Sequence, residues 1–156
     1  MEIRVTRLTS NDRDGARRLF RVMAEIFTEE CAPLSDGYLD QLLRCKEFWA
    51  LAAFADDDII GGVTAHTLPM TRTESSEVFI YDIAVESGYR RKGVGRRLLK
   101  ALCEQAAELG IEQVFVSVDN GDAHALDFYR SLGGKPSPVT IFSFSHLNIS
   151  RIALPH

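Results

Sequence analysis

The stretch YDIAVESGYRRKGVGRRLL, residues 81–99, joins a predicted β-strand to a predicted amphipathic helix through a basic turn that contains glycine. The strand ends at Val85 and the helix begins near Gly93. The first turn of a helix presents unpaired backbone N–H groups and partial positive charge, and nearby Arg and Lys side chains add full charges. Glycine also lets the backbone approach a ligand closely. The stretch therefore predicts an anion-binding turn suited to phosphate.

Known phosphate motifs and nucleic acid are both poor explanations for this turn. It lacks the GxxxxGK-Ser/Thr pattern of a Mg-ATP loop and the GxGxxG pattern of a dinucleotide site. Nucleic-acid binding is disfavoured because the chain carries a net charge of -4 and only Tyr89 offers a stacking surface in the stretch. The plain alternative is a solvated turn, and Arg96, Arg97 and Lys100 fall on the exposed side of the helix.

Length and composition bound the class of protein. The chain has 156 residues, of which 46% are hydrophobic, so we expect a single domain over residues 1–156 with a substantial core. Three separated cysteines without CxxC, and four histidines without HxxxH or HExxH, predict neither a disulfide framework nor a metal site. No apolar run is long enough to span a membrane and no signal-peptide pattern is present, so we expect a cytoplasmic protein without a membrane partner.

Hydrophobic periodicity predicts the element order β, α, α, β, β, β, α, β, α, β. Thr9 or Ser10 is predicted to cap the first helix, Ser35 or Asp36 the second, and Asp122 the last. The two later strand–helix–strand crossovers favour parallel pairing. The sequence therefore predicts a mixed α+β fold, with a central mixed sheet and helices on both faces. The first predicted strand ends near residue 9. The five later strands are predicted at residues 48–54, 59–68, 76–85, 113–118 and 139–145.

Two motifs together carry a family resemblance. One is Arg-x-x-Gly-x-Gly at residues 90–95, between a strand and an amphipathic helix; the other is Phe-Tyr-Arg-Ser-Leu-Gly at residues 128–133. With the element order, they make nearly the whole chain resemble the GCN5-related N-acetyltransferase superfamily. The resemblance implies that superfamily's fold, a central twisted mixed sheet with helices on both faces. It also implies acetyl-coenzyme A as the cofactor, with coenzyme A as product.

The same resemblance implies where the cofactor binds. The strand ending at Val85 and the strand ending near Val118 would splay apart and admit the thioester. Tyr129 takes the family's usual tyrosine position, and a phenol near the sulfur can protonate the departing thiolate. A plain alternative for Tyr129 is a half-buried aromatic on an apolar helix face. The pantetheine arm would pair with Ile83, Ala84 and Val85, and the pyrophosphate would be wrapped by Arg90, Arg91, Lys92, Gly93, Val94, Gly95 and Arg96.

Asp82 is a carboxylate inside an otherwise apolar strand, and such a position needs a reason. Near a thioester, a carboxylate can bind an ammonium group and help to remove its proton, directly or through water. Other acidic residues could line the same cleft or close over it. The plain alternative for Asp119 and Asp122 is a role in a turn or a helix cap. For Glu29 and Glu30, which follow the first helix, the plain alternative is a solvated surface. The remaining candidates for substrate binding are Glu77, Glu29 and Glu30.

Four short segments narrow the resemblance. Tyr-Leu-x-x-Leu-Leu-Arg at residues 38–44, ALAAF at 50–54, IYDIAV at 80–85 and Asp-x-Gly-Asp at 119–122 are similar to the aminoglycoside 3-N-acetyltransferases of the gentamicin/fortimicin type. This resemblance implies a cationic aminoglycoside substrate, acetylated at the 3-amino group of its deoxystreptamine ring, and antibiotic resistance. It also implies that a homodimer is common. Direct transfer is favoured over a covalent intermediate because no cysteine lies in either motif.

Two alternatives remain open at the level of the sequence. The fold could serve another amine, namely a polyamine, another small amine or a protein N-terminus. The chain could also be a non-catalytic coenzyme A-binding sensor. Retention of both Asp82 and Tyr129 argues against the sensor.

Overall fold

The computed structural model describes residues 2–146 and 149–151, which fall into two compact units, Met1–Asp119 and Asn120–His156. The first unit holds all five strands and three of the four helices, and the second holds the last helix. The strands are β1 (Ile3–Arg7), β2 (Phe48–Ala55), β3 (Asp58–Pro69), β4 (Ser76–Val85) and β5 (Val114–Val116). The helices are α1 (Arg13–Ile26), α2 (Asp36–Arg44), α3 (Val94–Glu108) and α4 (Ala123–Ser131).

The strands of the first unit form one mixed sheet in the order β1-β2-β3-β4-β5. The first four pair antiparallel, and β5 pairs parallel to β4. Helix α3 makes the crossover between β4 and β5, which is the connection that parallel pairing requires. The predicted mixed sheet and fold class are confirmed.

Helices cover both faces of this sheet. Leu19 of α1 and Leu39 of α2 pack with Ala50 and Ala52 of β2 on one face. On the opposite face, α3 packs over the other side chains of β2, including fully buried Trp49. Strand β2 is apolar along almost its whole length because both of its faces are buried.

An ion-pair network joins α1 to α2. The Arg13 guanidinium donates from Nε and Nη2 to the two carboxylate oxygens of Asp40, at 2.8 and 2.7 Å. Arg13 thereby holds the pKa of the Asp40 carboxyl below its usual range, through this hydrogen bond above all. Arg17 pairs with Asp36 at the start of α2. The network therefore joins the first half of α1 to the first half of α2.

Most predicted helix ends are confirmed, and one is wrong. Ser35 caps α2 by accepting a hydrogen bond from the Tyr38 N–H at 3.1 Å. Gly110 follows α3 in the left-handed region, with a φ of 75°. Neither Thr9 nor Ser10 caps α1, because Asp12 holds the N-cap position. Its carboxylate instead accepts the Thr9 N–H at 2.8 Å, closing the turn before the helix.

The second unit confirms one prediction and contradicts another. Asp122 caps α4 by accepting the Ala125 N–H at 3.0 Å, and Gly133 ends it with a φ of 90°. The predicted last strand at 139–145 is wrong, because these residues lie in no strand. Its large apolar side chains are exposed, among them Phe142 and Phe144. Alternation of apolar and polar residues had predicted the strand, but alternation supplies no hydrogen-bonding neighbour.

Residues 2–146 and 149–151 include neither a membrane-spanning helix nor a cluster of metal ligands. None of their helices has the length and hydropathy needed to cross a bilayer. Their His, Cys, Asp and Glu side chains form no group of three that could hold a metal ion. The three cysteines are free thiols.

Candidate active site

The site begins where β4 and β5 part. In the parallel ladder Val78 pairs with Val114, and the last pair is Ile80 with Val116. Beyond Ile80, β4 continues to Val85 with no β5 partner in the described chain. Within the described chain, residues 81–85 therefore have no strand neighbour on the side away from β3, as the predicted splay requires.

A β-bulge in β4 coincides with this parting. The register with β3 shifts so that Thr64 faces Asp82 while Ala65 faces Ile80, which leaves Tyr81 as the extra residue. A bulge of this kind bends the strand and re-aims the side chains beside it. Asp82 lies opposite the buried Thr64, on the face covered by α1.

Asp82 is half-buried, and its surroundings favour the protonated carboxyl. Burial raises the pKa of Asp82, and the neighbouring Glu29 carboxylate raises it further. A carboxylate with a raised pKa is a better proton acceptor than an exposed one. The paired negative charges also favour a cationic group beside them.

Glu29 owes its position to the end of α1. Thr28 adopts a left-handed conformation, with a φ of 54°, at the place where a helix end usually has glycine. The Glu29 N–H then donates to the Ala24 carbonyl at 2.9 Å. This conformation costs a non-glycine residue about 1–2 kcal/mol. The strained turn places Glu29 near Asp82 at the start of the exposed α1–α2 loop.

The other predicted acidic residues occupy different elements. Glu77 is half-buried on β4, ahead of the parting, and Glu30 is exposed beside Glu29. Asp119 is exposed beyond β5, at the end of the first unit. Asp122 belongs to the second unit, where one carboxylate oxygen serves as the cap of α4. The structure brings Glu29 to Asp82, and the cap confirms the plain alternative for Asp122 without testing a role toward substrate.

Tyr129 also belongs to the second unit. It lies on α4, half-buried, with its ring centroid 5.0 Å from that of Phe128. Its predicted role as an acid remains a prediction.

The basic turn after β4 has the backbone of an anion site. Arg91 and Gly93 are both left-handed, with φ values of 63° and 78°, and Gly93 is the N-cap of α3. The Arg97 N–H donates to the Gly93 carbonyl at 3.0 Å, so the three N–H groups before it, at residues 94–96, are the orphan donors of the helix end. Consecutive N–H groups around left-handed residues form a concave anion cradle.

The charged side chains of this turn are exposed, and in the described part of the chain they have no carboxylate partners. Within residues 2–146 and 149–151, Arg90, Arg91, Lys92 and Arg96 form no ion pair. The Arg90 Nε instead donates to the Val85 carbonyl at 3.3 Å, which ties the turn to the end of β4. Arg13 and Arg17 of α1, by contrast, pair with carboxylates of α2. The unmatched positive charge fits a polyanionic ligand such as the pyrophosphate of coenzyme A.

Comparison with known proteins now identifies the family. Residues 9–133 match the acetyltransferase (GNAT) family. The chain belongs to the GNAT family. GNAT acetyltransferases use acetyl-coenzyme A. The predicted superfamily is confirmed, and the open edge of β4 and the basic turn are the features that fit this cofactor.

Similar proteins include enzymes with different acceptors. An aminoglycoside acetyltransferase from an uncultured soil metagenomic sample, solved with trehalose and with sisomicin, has a TM-score of 0.87 at 30% and 29% identity. The match covers 94% of this chain and 97% of that one. The ribosomal protein bS18 alanine N-acetyltransferase of Escherichia coli K12 is 33% identical over 64 residues, 41% of this chain and 43% of that protein.

A third relative is the L-ornithine N5-acetyltransferase of Arabidopsis thaliana, 39% identical over 57 residues. That match covers 36% of this chain and 25% of the plant protein. The chain thus matches less than half the length of either curated relative. These partial matches do not fix the acceptor.

Sequence reasoning missed the aromatic side chains on the α1-covered face of the sheet. Phe79 and Tyr81 flank the parting of β4 and β5, and His66 lies beside them on β3. The available signal was the spacing of Phe79 and Tyr81, two apart in one strand. The bulge that exposes Tyr81 had no signature in the sequence.

Proposed function

We propose that this protein transfers the acetyl group of acetyl-coenzyme A to the 3-amino group of the deoxystreptamine ring of aminoglycosides, and so confers antibiotic resistance. The observation that carries the proposal is Asp82, half-buried beyond the last β4–β5 pair, with a pKa raised by burial and by Glu29. An acidic pair at this position suits a cationic acceptor. The similarity to an aminoglycoside acetyltransferase, which extends over nearly the whole length of both chains, supports aminoglycosides as the substrate class.

The cofactor would occupy the strand end and the turn. The free edge of Ile83, Ala84 and Val85 would pair with the amides of the pantetheine arm, as an added strand does. The backbone of the turn would hold the pyrophosphate, with point charges from its basic side chains. When bound, acetyl-coenzyme A supplies the thioester carbonyl that the amine attacks. The residues proposed for the pyrophosphate are Arg90, Arg91, Lys92, Gly93, Val94, Gly95 and Arg96.

Asp82 would prepare the amine for attack. At neutral pH an aliphatic amine is mostly protonated and cannot act as a nucleophile. The Asp82 carboxylate binds the ammonium form and accepts its proton, directly or through water. Glu29 contributes by raising the proton affinity of Asp82 and by adding negative charge for the cation. The acetyl group then passes directly to the amine, without an acyl-enzyme.

Tyr129 would supply the second proton transfer. Its phenol donates a proton to the departing sulfur, so that coenzyme A leaves as a thiol. This role rests on the family's usual tyrosine position within the motif at residues 128–133. We further propose that acidic side chains bind the other ammonium groups of the acceptor, namely Glu77, Asp119, Asp122, Glu29 and Glu30. The predicted homodimer and the predicted single domain remain predictions.

A small amine or a protein N-terminus is the second candidate acceptor. The partial similarities to an ornithine N5-acetyltransferase and to a ribosomal alanine N-acetyltransferase favour it specifically. Both acceptors would use the same cofactor turn and the same base. The two candidates therefore differ in the acceptor alone.

An amine panel decides between these acceptors. Purified protein is incubated with acetyl-coenzyme A and, separately, gentamicin, sisomicin, spermidine, ornithine or an alanine-initiated peptide, and thiol release is measured. We expect turnover of gentamicin and sisomicin, and NMR of the product should place the acetyl group on the 3-amino nitrogen. Robust turnover of spermidine, ornithine or the peptide without acetylation of either drug would refute the proposal. Expression should also protect a susceptible bacterium against the drugs that are turned over.

A further inference from the structure

Aromatic side chains form a row across the α1-covered face of the sheet, and the acid–base proposal uses none of them. The strand register places Phe48 opposite His66, His66 opposite Phe79, and Phe79 opposite Phe115. Ring centroids are 5.4 Å apart for Phe48 and His66 and 5.1 Å apart for Phe79 and Phe115. Phe20 of α1 packs on the first of these rings at 6.2 Å. The row therefore runs from α1 to β5, and its Phe79–Phe115 pair lies next to the last β4–β5 pair, Ile80 with Val116.

Tyr81, the bulged residue of β4, lies beside two members of this row, His66 and Phe79. Its side chain is 64% exposed, although its ring is held on two sides. The ring lies 6.0 Å from that of His66 and 6.4 Å from that of Phe79, edge-on in both cases, at 79° and 87°. The bulge leaves Tyr81 without a register partner on β3, so its contact with that strand is the edge contact with His66. The result is a solvent-facing aromatic surface with ring neighbours on two sides.

Carboxylates border this surface. Asp82 follows Tyr81 directly and is close enough to Glu29 for that charge to raise its pKa. Glu77 lies on the same strand, two residues before Phe79. An aromatic face attracts cations and packs against C–H groups, while carboxylates bind ammonium groups. A single exposed aromatic residue is ordinary, but one held in place beside acidic residues at a strand opening has the chemistry of an organic-cation site.

We infer that Tyr81, supported by His66 and Phe79, binds a ring of the cationic amino-sugar acceptor and is a specificity-determining residue. The inference rests on the proposed function and deepens it. The C–H face of the sugar ring packs on the phenol ring, and the ammonium substituents face Asp82 and Glu29. The ring of Tyr81, not its hydroxyl, supplies this contact. Its removal should weaken binding of the acceptor and leave binding of the cofactor unchanged.

The test compares three substitutions at Tyr81 in steady-state kinetics with sisomicin and acetyl-coenzyme A. Tyr81→Ala should raise the KM for sisomicin about tenfold, the range that a lost cation–π and ring contact covers. Tyr81→Leu, which keeps apolar bulk without a ring, should behave like Tyr81→Ala. Tyr81→Phe should keep the wild-type KM. All three should keep the wild-type KM for acetyl-coenzyme A and the wild-type melting temperature.

Leu109→Ala is the matched control. Leu109 is 63% exposed at the end of α3, the helix on the opposite face of the sheet, so its truncation should leave both KM values unchanged. If wild type acetylates sisomicin and Tyr81→Ala keeps its sisomicin KM, the role of Tyr81 is overturned and the proposed function stands. Equal increases in both KM values, or a lowered melting temperature, would indicate a merely structural role and overturn the inference. A wild type that acetylates neither sisomicin nor gentamicin would overturn the proposed function itself.

Discussion

The two halves of β4 differ in their neighbours and, as a result, in what their side chains do. Val78 and Ile80 lie between β3 and β5, and both are buried. Tyr81 and Asp82 lie beside β3 alone within the described chain, and they are exposed and half-buried. Adjacent residues of one strand thus serve different purposes, with Val78 and Ile80 in the core and Tyr81 and Asp82 in the candidate site. The change falls at a single residue, where the bulge and the loss of β5 coincide.

The comparison separates effects on stability from effects on chemistry. Side chains that are packed between two strands and a helix should report on folding when they are truncated. Tyr81 and Asp82, just beyond the parting, should report on turnover, because they are exposed and half-buried and neither belongs to a core cluster. Substitutions on either side of Tyr81 can therefore test the division directly.

The largest effect is expected from Asp82→Asn. The amide keeps the shape of the side chain but cannot accept the proton, so kcat should fall by about 10²–10⁴-fold. The melting temperature should stay near that of wild type, since a half-buried carboxylate is removed rather than a packing contact. Thiol release and thermal unfolding measure the two quantities. Asp57→Asn, in the exposed turn between β2 and β3, is the control and should change neither.

Ile80→Ala should give the opposite pattern. Ile80 is 2% exposed, and truncation of such a side chain costs about 2–5 kcal/mol in the free energy of unfolding. The folded fraction should retain kcat close to that of wild type, because the backbone beyond Ile80 is unchanged. Urea unfolding measures the free energy of unfolding, and the turnover rate per folded molecule measures kcat. A large fall in kcat without a loss of stability would contradict the assignment of Ile80 to the core rather than to the site.

The basic turn extends the functional half of β4 toward the cofactor. Combining Arg91→Ala with Lys92→Ala removes two charges that have no carboxylate partner in the described chain. The KM for acetyl-coenzyme A should rise about tenfold, the effect of losing charge-assisted hydrogen bonds, and the difference should shrink at high salt. The KM for sisomicin should not change. Arg97→Ala, on the exposed face of α3, is the control, and an equal effect there would show that only the general charge matters.

The smallest effect is expected from Glu29→Gln. Asp82 acts in its ionised form, so kcat/KM should fall as pH drops through its pKa. Because that pKa is raised, the acid limb should lie above the ordinary range of an aspartate. Removing the Glu29 charge lowers the pKa of Asp82, so the limb should move to lower pH by less than about one unit. Glu25→Gln, a control at an exposed position on α1, should leave the acid limb of the pH profile unchanged. If Glu29→Gln also leaves that limb unchanged, Glu29 does not act on Asp82.

The sequence predicted much of this arrangement because its signals are local. The apolar period of α1 and α3, the cap at Ser35 and the glycine turn at Gly93 each depend on residues within a few positions of one another. Asp82 could be singled out because a carboxylate in an apolar run is itself a local anomaly. The parallel pairing of β5 followed from the length of its connection.

The remainder depends on contacts between distant residues. The segment at 139–145 alternates like a strand, but a strand also needs a neighbour for its backbone, which alternation does not specify. The bulge at Tyr81 arises from the register between β3 and β4, so no nearby residue signals it. The approach of Glu29 to Asp82 depends on the left-handed turn at Thr28, a conformation that threonine rarely adopts. These features decide the chemistry of the site and are set by tertiary structure.

A crystal structure of the protein with coenzyme A and sisomicin bound tests the central claim most directly. The account predicts that the pantetheine amides hydrogen-bond to the backbone of residues 83–85, on the edge of β4 without a strand. It also predicts that the 3-amino nitrogen of sisomicin lies within hydrogen-bonding reach of Asp82, directly or through one water. Coenzyme A bound away from this edge, or another amine of the drug at Asp82, would contradict it.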